Sequence, residues 1–197
     1  MREDPRGTRS GRIVEVEAYA GPEDRASHAR FGRTARTATM FAAAGSAYVY
    51  GVYGMHTCLN VVVGPPGEAG AVLVRAVEPL AGIESMRTAR LARAVATRRA
   101  DRADPPAAAA RIARLPAARL VAGPANVAAA FDVTRDDDGR DLLDPAGTLR
   151  LEPAPPGERP SAVRATPRVG VAYAGPGWAD RPWRFVEVGP PATGPGR

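Results

Sequence analysis

The stretch YVYGVYGMHTCLN, residues 48–60, constrains the fold most. Two runs of strand character, SAYVY and MHTCLNVVV, meet across GVYG, and glycines on either side of Val52 and Tyr53 suit a hairpin turn that needs positive φ. The same thirteen residues carry three of the chain's five tyrosines, its single cysteine and one of its two histidines. An aromatic at such a tip, Tyr53, cannot be packed by its immediate neighbours. Either another loop covers it, or it serves as a wedge that enters a base stack.

The remaining chain reads as further strands with short turns. GRIVEVEAY (11–19) alternates, with Val14, Val16 and Ala18 on one face and Ile13, Glu15, Glu17 and Tyr19 on the other. Residues 30–39 read as a basic loop. AVLVRAVEP predicts a buried strand ending at Pro79, followed from Leu80 by an amphipathic helix carrying Ile83, Met86 and Leu91. The arginine-rich stretch after it reads as a fraying helix end and a mobile basic loop at about 95–120. AGPANVAAAFDV predicts a short helix opened by Gly123-Pro124, and DLLDPAGTLRLEP a hairpin or strand. The proline-rich segment 153–167 reads as a linker, and RVGVAYAG and RPWRFVEVG as closing strands. The expectation is one antiparallel-rich α+β domain over 12–189, with disordered ends at 1–11 and 190–197.

Composition narrows the chemistry. All 27 basic residues are arginines, so no side-chain amine is available for Schiff-base attack. The net charge of +6 favours a polyanionic partner, although the bias toward Ala, Arg, Gly and Pro accounts for the charge equally well. One cysteine makes no internal disulfide, and two histidines make a multi-ligand zinc site a poor fit. No apolar run reaches the roughly 18 to 20 residues of a membrane span, and the first residues lack a secretory apolar core. A cytoplasmic protein without metal or cofactor is expected.

Several side chains are candidates for a site. Glu17 and Tyr19 point the same way from one strand, Tyr48 and Tyr50 share a face of another, and Asn60 lies on the far arm of the hairpin. Brought together, they make an aromatic slot with a carboxylate and an amide at its floor, suited to a flat, electron-poor ring. His28 follows closely enough to line the same slot. The plainer alternatives are solvent-facing carboxylates, a surface histidine, and an Arg75 that ends its strand in a salt bridge with Glu78.

Four blocks in order, RIVEVEAYAGPEDRASHA, MFAAAGSAYVYGVYGMHTCLNVVV, AVLVRAVEPLAGIESMR and RVGVAYAGPGWADRPWRFVEVG, resemble the alkyladenine (3-methyladenine) DNA glycosylase family. The resemblance implies a single domain around a curved, mostly antiparallel, partly open barrel-like sheet with flanking helices. It also implies a cofactor-free, monofunctional glycosylase acting as a monomer on double-stranded DNA that contains damaged purines, in the cytoplasm at the nucleoid. By motif, Glu17 matches the catalytic carboxylate and Arg75 its partner. Tyr19, His28 and Tyr50 match the walls around an extruded base, and Asn60 the amide that discriminates against guanine. Tyr53 matches the residue that fills the duplex gap, and Met40 a DNA contact.

Three departures accompany the match. Eleven residues precede Arg12 where the family has a further strand and helix, so an incomplete sheet edge is expected. Asn126 stands where lysine is frequent, and TARTATM departs from the usual Thr-Pro-Arg-Asn pattern. The competing functions are a non-catalytic binder of damaged DNA, which would not need Glu17, Asn60 and Arg75, and a nucleotide hydrolase, which would not need Tyr53. Tyr53→Ala is expected to weaken binding to intact lesion duplexes more than to lesions already unpaired; equal losses in gel-shift titrations would remove the wedge role.

Overall fold

The computed structural model describes residues 1–52, 56–96, 104–156 and 162–188. Within them an antiparallel sheet of seven strands, not closed on itself, carries four helices, an α+β architecture. The strands are β1 (Arg2–Asp4), β2 (Gly7–Ala20), β3 (Ala47–Val52), β4 (His56–Val62), β5 (Gly70–Ala81), β6 (Val163–Thr166) and β7 (Arg184–Glu187). Their order is β3-β4-β5-β2-β7-β6, with β1 folded back onto β2. The helices are α1 (Ile83–Ala96), α2 (Pro105–Ala113), α3 (Ala117–Leu120) and α4 (Pro124–Ala130).

Period-two alternation decides what each face of the sheet carries. Ala47 and Val49 of β3, Leu59 of β4 and Val74 of β5 turn to the helices. There they join Met86, Leu120, Val127, Ala128 and Ala130 in the main core. The intervening residues, Tyr48 and Tyr50, Cys58 and Asn60, Ala71, Leu73 and Arg75, turn to the opposite side. One face is thus an apolar layer for helices, and the other collects the polar and aromatic side chains.

Several expectations are corrected. Residues 1–11 are not unstructured: β1 pairs with β2 through Arg2↔Arg9, Glu3↔Thr8 and Asp4↔Gly7. The fully buried Arg9 guanidinium there binds the carboxylate of Asp4 and the carbonyl of Ala130. Gly51 lies inside β3 opposite Thr57, and residues 53–55 lie outside the described residues. β5 does not stop at Pro79. It passes through a bulge where Pro79 faces Gly11, a position at which a Cβ would sit 2.6 Å from the carbonyl oxygen of Glu78. The strand turns into α1 only at Gly82, whose φ of 75° favours glycine.

The arginine-rich region also departs from the expected loop. Asp104 caps α2 by accepting the N–H of Ala107, and Ile112 and Leu120 anchor α2 and α3 in the core. Arginines of α1 cover the ends of both: Arg87 Nη1 donates to the Ile112 carbonyl at 2.6 Å and Arg90 Nη1 to the Leu120 carbonyl at 2.9 Å. These charges are spent on helix ends rather than on solvent. Residues 97–103 and 190–197 lie outside the described residues. The segment RVGVAYAG is a loop with one 3-10 turn, Ala172–Ala174, and its two glycines, Gly170 and Gly175, take positive φ, which extended strand does not. No helix among the described residues is long and apolar enough to cross a membrane.

Arg9→Ala is expected to destabilise the domain by about 3 kcal/mol, because it removes a buried partner of Asp4 and opens a cavity beside Ala130. Urea unfolding of the variant against Arg9→Met, which keeps the buried stem, checks this.

Candidate active site

On the polar face a cleft of about 250 Å³ is walled by Tyr19, His28, Tyr48, Tyr50, Asn60 and Arg75, with Val169–Val171 and Tyr173 closing one side. β2, β3, β4 and β5 each contribute a residue by alternation, and the loop after β2 contributes His28.

Glu17 has no solvent exposure. A carboxylate taken out of water must find donors, and three converge on it. The Val169 N–H donates to Oε1 at 2.7 Å, the Tyr19 hydroxyl donates to Oε2 at 2.9 Å, and Arg75 Nη1 forms an ion pair with Oε1 at 3.3 Å. Burial, then the charge and hydrogen bond of Glu17, push the Tyr19 phenol far above its ordinary pKa, so its proton stays with Tyr19.

Arg75 is not bound to Glu78. Glu78 pairs instead with Arg12. Arg75 Nε donates to Glu15 Oε1 at 2.8 Å, and Arg184 Nε donates to the same oxygen at 2.6 Å. Burial works against the Arg75 charge, but the hydrogen bond to Glu15 and the charges of Glu17 and Glu15 outweigh it and raise its pKa. For Glu15, hydrogen bonds from Arg184 and Arg75 overcome burial and lower its pKa. Two carboxylates and two guanidiniums therefore form one fixed charge lattice across β7, β2 and β5.

The aromatic walls are set by direct contacts. His28 Nδ1 is 2.9 Å from the Tyr48 hydroxyl, and its ring meets Tyr50 edge-on at 4.5 Å. Burial, with the charges of Arg36 and Arg30, lowers the His28 pKa to about 4, so the imidazole is neutral near pH 7. Asn60 Nδ2 donates to the Tyr48 carbonyl at 3.0 Å, which locks the amide across the hairpin.

Of the residues singled out in the sequence, Tyr19, His28, Tyr50, Asn60 and Arg75 thus come together around the cleft, and Glu17, which does not line it, is bound to the lining residues Tyr19, Arg75 and Val169. Tyr53 lies outside the described residues. Met40 is 1% exposed, packs with Ala29, Tyr48 and Val62, and forms part of the cleft wall. Asn126 accepts from Arg90 Nη2 at 2.7 Å, which puts a guanidinium beside the position where lysine is frequent.

Sequence reasoning missed the back of the site. Arg168, fully buried at its side chain, forms a bidentate pair with Asp24 at 2.6 and 2.9 Å, donates to the Ala18 carbonyl, and lies 4.8 Å from the Tyr19 ring centre. This pair ties the loop that carries His28 to the segment that presents the Val169 N–H. The available signal was an arginine at the head of a glycine-rich stretch, too weak to interpret alone.

The chain matches the family model for methylpurine-DNA glycosylase (MPG) over residues 1–191. A Nocardia farcinica protein named 3-methyladenine DNA glycosylase is 45% identical over 188 residues, covering 92% of this chain and 76% of its own. A Koribacter versatilis protein of the same name is 40% identical over 193 residues, covering 97% and 80%. The human DNA-3-methyladenine glycosylase is 42% identical over 194 residues, covering 97% of this chain and 59% of its own.

His28 gives a pH test. The folded protein keeps it neutral down to about pH 4, whereas the unfolded chain protonates it near 6.5. Its contribution is therefore constant above pH 6.5, and stability falls as pH drops from 6.5 toward 4. His28→Gln is expected to flatten that limb of the stability–pH curve, and the His28 ring resonances to stay unshifted between pH 5.5 and 8 in NMR titration.

Proposed function

Because the chain belongs to the methylpurine-DNA glycosylase family, we propose that it is a monofunctional DNA glycosylase of base excision repair, acting as a monomer on duplex DNA at the nucleoid. Its substrates are alkylated or deaminated purines: 3-methyladenine, 7-methylguanine, hypoxanthine and ethenoadenine. The observation that carries this reading is the Glu17 carboxylate, held without solvent exposure by three donors that themselves line the cleft of tyrosine and histidine rings.

In this reading the damaged nucleotide leaves the duplex and its base enters the cleft. Extrusion costs a few kcal/mol of stacking and pairing, least for damaged bases, and Tyr53 offsets part of it by filling the gap. A cationic alkylpurine gains roughly 0.5 to 2 kcal/mol against the phenol faces of Tyr19 and Tyr50. Asn60 reads the base edge and rejects the exocyclic amine of normal guanine.

Cleavage of the N-glycosidic bond leaves its electron pair with the departing purine and builds positive charge on the sugar. Glu17 stabilises that charge and takes a proton from the attacking water, whose oxygen bonds to the anomeric carbon. Its three partners are all donors, as a carboxylate's negative charge requires. Arg75 fixes the orientation, being itself held by Glu15. A neutral purine such as hypoxanthine takes up a proton as it leaves. Without any lysine, no side-chain amine is present to attack the sugar, so the product is an uncut abasic site.

Purified protein is expected to release hypoxanthine or 3-methyladenine from lesion duplexes, read by chromatography, and to leave alkali-labile sites. Glu17→Gln should retain lesion binding and lose release by about 10²- to 10⁴-fold. Equal release by the wild type and the variant would remove Glu17 from the reaction.

A further inference from the structure

Beside the cleft stands a second aromatic assembly that the reaction does not use. Phe31 is 73% exposed and Tyr173 61% exposed, and the Arg30 guanidinium lies over both rings, 4.4 Å from the Phe31 centre and 4.9 Å from that of Tyr173. Neither the cation nor the tyrosine is loose. Arg30 Nη1 donates to the Arg25 carbonyl at 2.7 Å, and the Tyr173 hydroxyl donates to the Ala26 carbonyl at 2.9 Å. Phe31 ends the 3-10 turn that begins at His28, while Tyr173 lines the cleft itself. Arg25, Arg33 and Arg36, close to Arg30 and Phe31 in sequence, are exposed, and the Arg36 guanidinium lies 5.8 Å from the centre of the Tyr50 ring that lines the cleft.

We infer that the Phe31–Arg30–Tyr173 stack at the cleft mouth is a second nucleobase site, taking an unpaired base next to the extruded nucleotide on the same strand. The inference rests on the glycosylase reading for its location and on three features for its chemistry. Two open π faces in fixed positions suit a nucleobase of any sequence, since every base stacks. The pre-ordered rings lose little side-chain freedom on binding. The exposed arginines match the phosphates that must flank any such base. An isolated exposed phenylalanine would need no explanation; two exposed rings sharing one anchored cation beside a base pocket do.

The test uses the full-length protein, with short single-stranded oligonucleotides as probes and abasic oligomers of equal length and charge as controls. Phe31→Ala is expected to weaken binding of the base-bearing oligomer about tenfold. Binding of the abasic oligomer and the slope of affinity against salt should be unchanged, and Phe31→Tyr should restore the loss. An equal loss on both oligomers would mean a backbone or folding effect and overturn the site. So would no loss on either, which would leave the patch to an acidic protein partner. Base release by the wild type from lesion duplexes is measured separately, so failure of the second site and failure of the glycosylase reading remain distinguishable.

Discussion

A carboxylate buried without solvent contact dictates the arrangement around it. Glu17 needs donors, and two of those it has come from distant parts of the chain, Arg75 on β5 and the Val169 N–H, while the third, Tyr19, lies two residues along its own strand. Removing one donor from a buried charge costs far more than a surface pair is worth, so each of these segments is fixed by the others. Glu15 extends the same logic outward by neutralising Arg75 on its far side, and Arg184 in turn pairs with Glu15. The charge lattice sits where β7, β2 and β5 run side by side, so that each of the three strands delivers a side chain to it.

The sheet makes this arrangement possible by sorting its residues. One face is sealed by helices against Val49, Leu59 and Val74, so the other is free to carry polar and aromatic groups without depriving the domain of its core. The cleft is therefore built on rigid strands. Its looser parts, the turn after β2 and the Val169–Tyr173 segment, are joined behind the Tyr19 ring by the Asp24–Arg168 pair. Arginine suits these positions because a planar fork can bind a carboxylate twice and still stack on rings.

Much of the site was legible in the chain. Alternation along β2 placed Glu17 with Tyr19, and alternation along the hairpin placed Tyr48 with Tyr50 and apart from Val49. These are local properties of extended backbone, and the structure keeps them. Proline and glycine punctuation likewise marked α4 at Gly123-Pro124. Local pattern failed where the outcome depended on partners far away in sequence. An arginine-rich stretch reads as solvated loop because charge is usually exposed, yet Arg87 and Arg90 cap helices some 25 to 30 residues distant. Residues 1–11 look featureless until Arg9 is seen reaching the carbonyl of Ala130.

By itself, then, the sequence determined which residues share a face, that the sheet is antiparallel, and that lysine chemistry is excluded. Only the tertiary structure decided that Glu17 is buried rather than solvated, that Arg75 answers to Glu15 and Glu17 and not Glu78, and that Met40 is a wall. The reason is physical: side-chain direction follows from a two-residue repeat that is present in the chain, whereas burial and ionic partners are set by segments up to about 150 residues apart, and no local period encodes them.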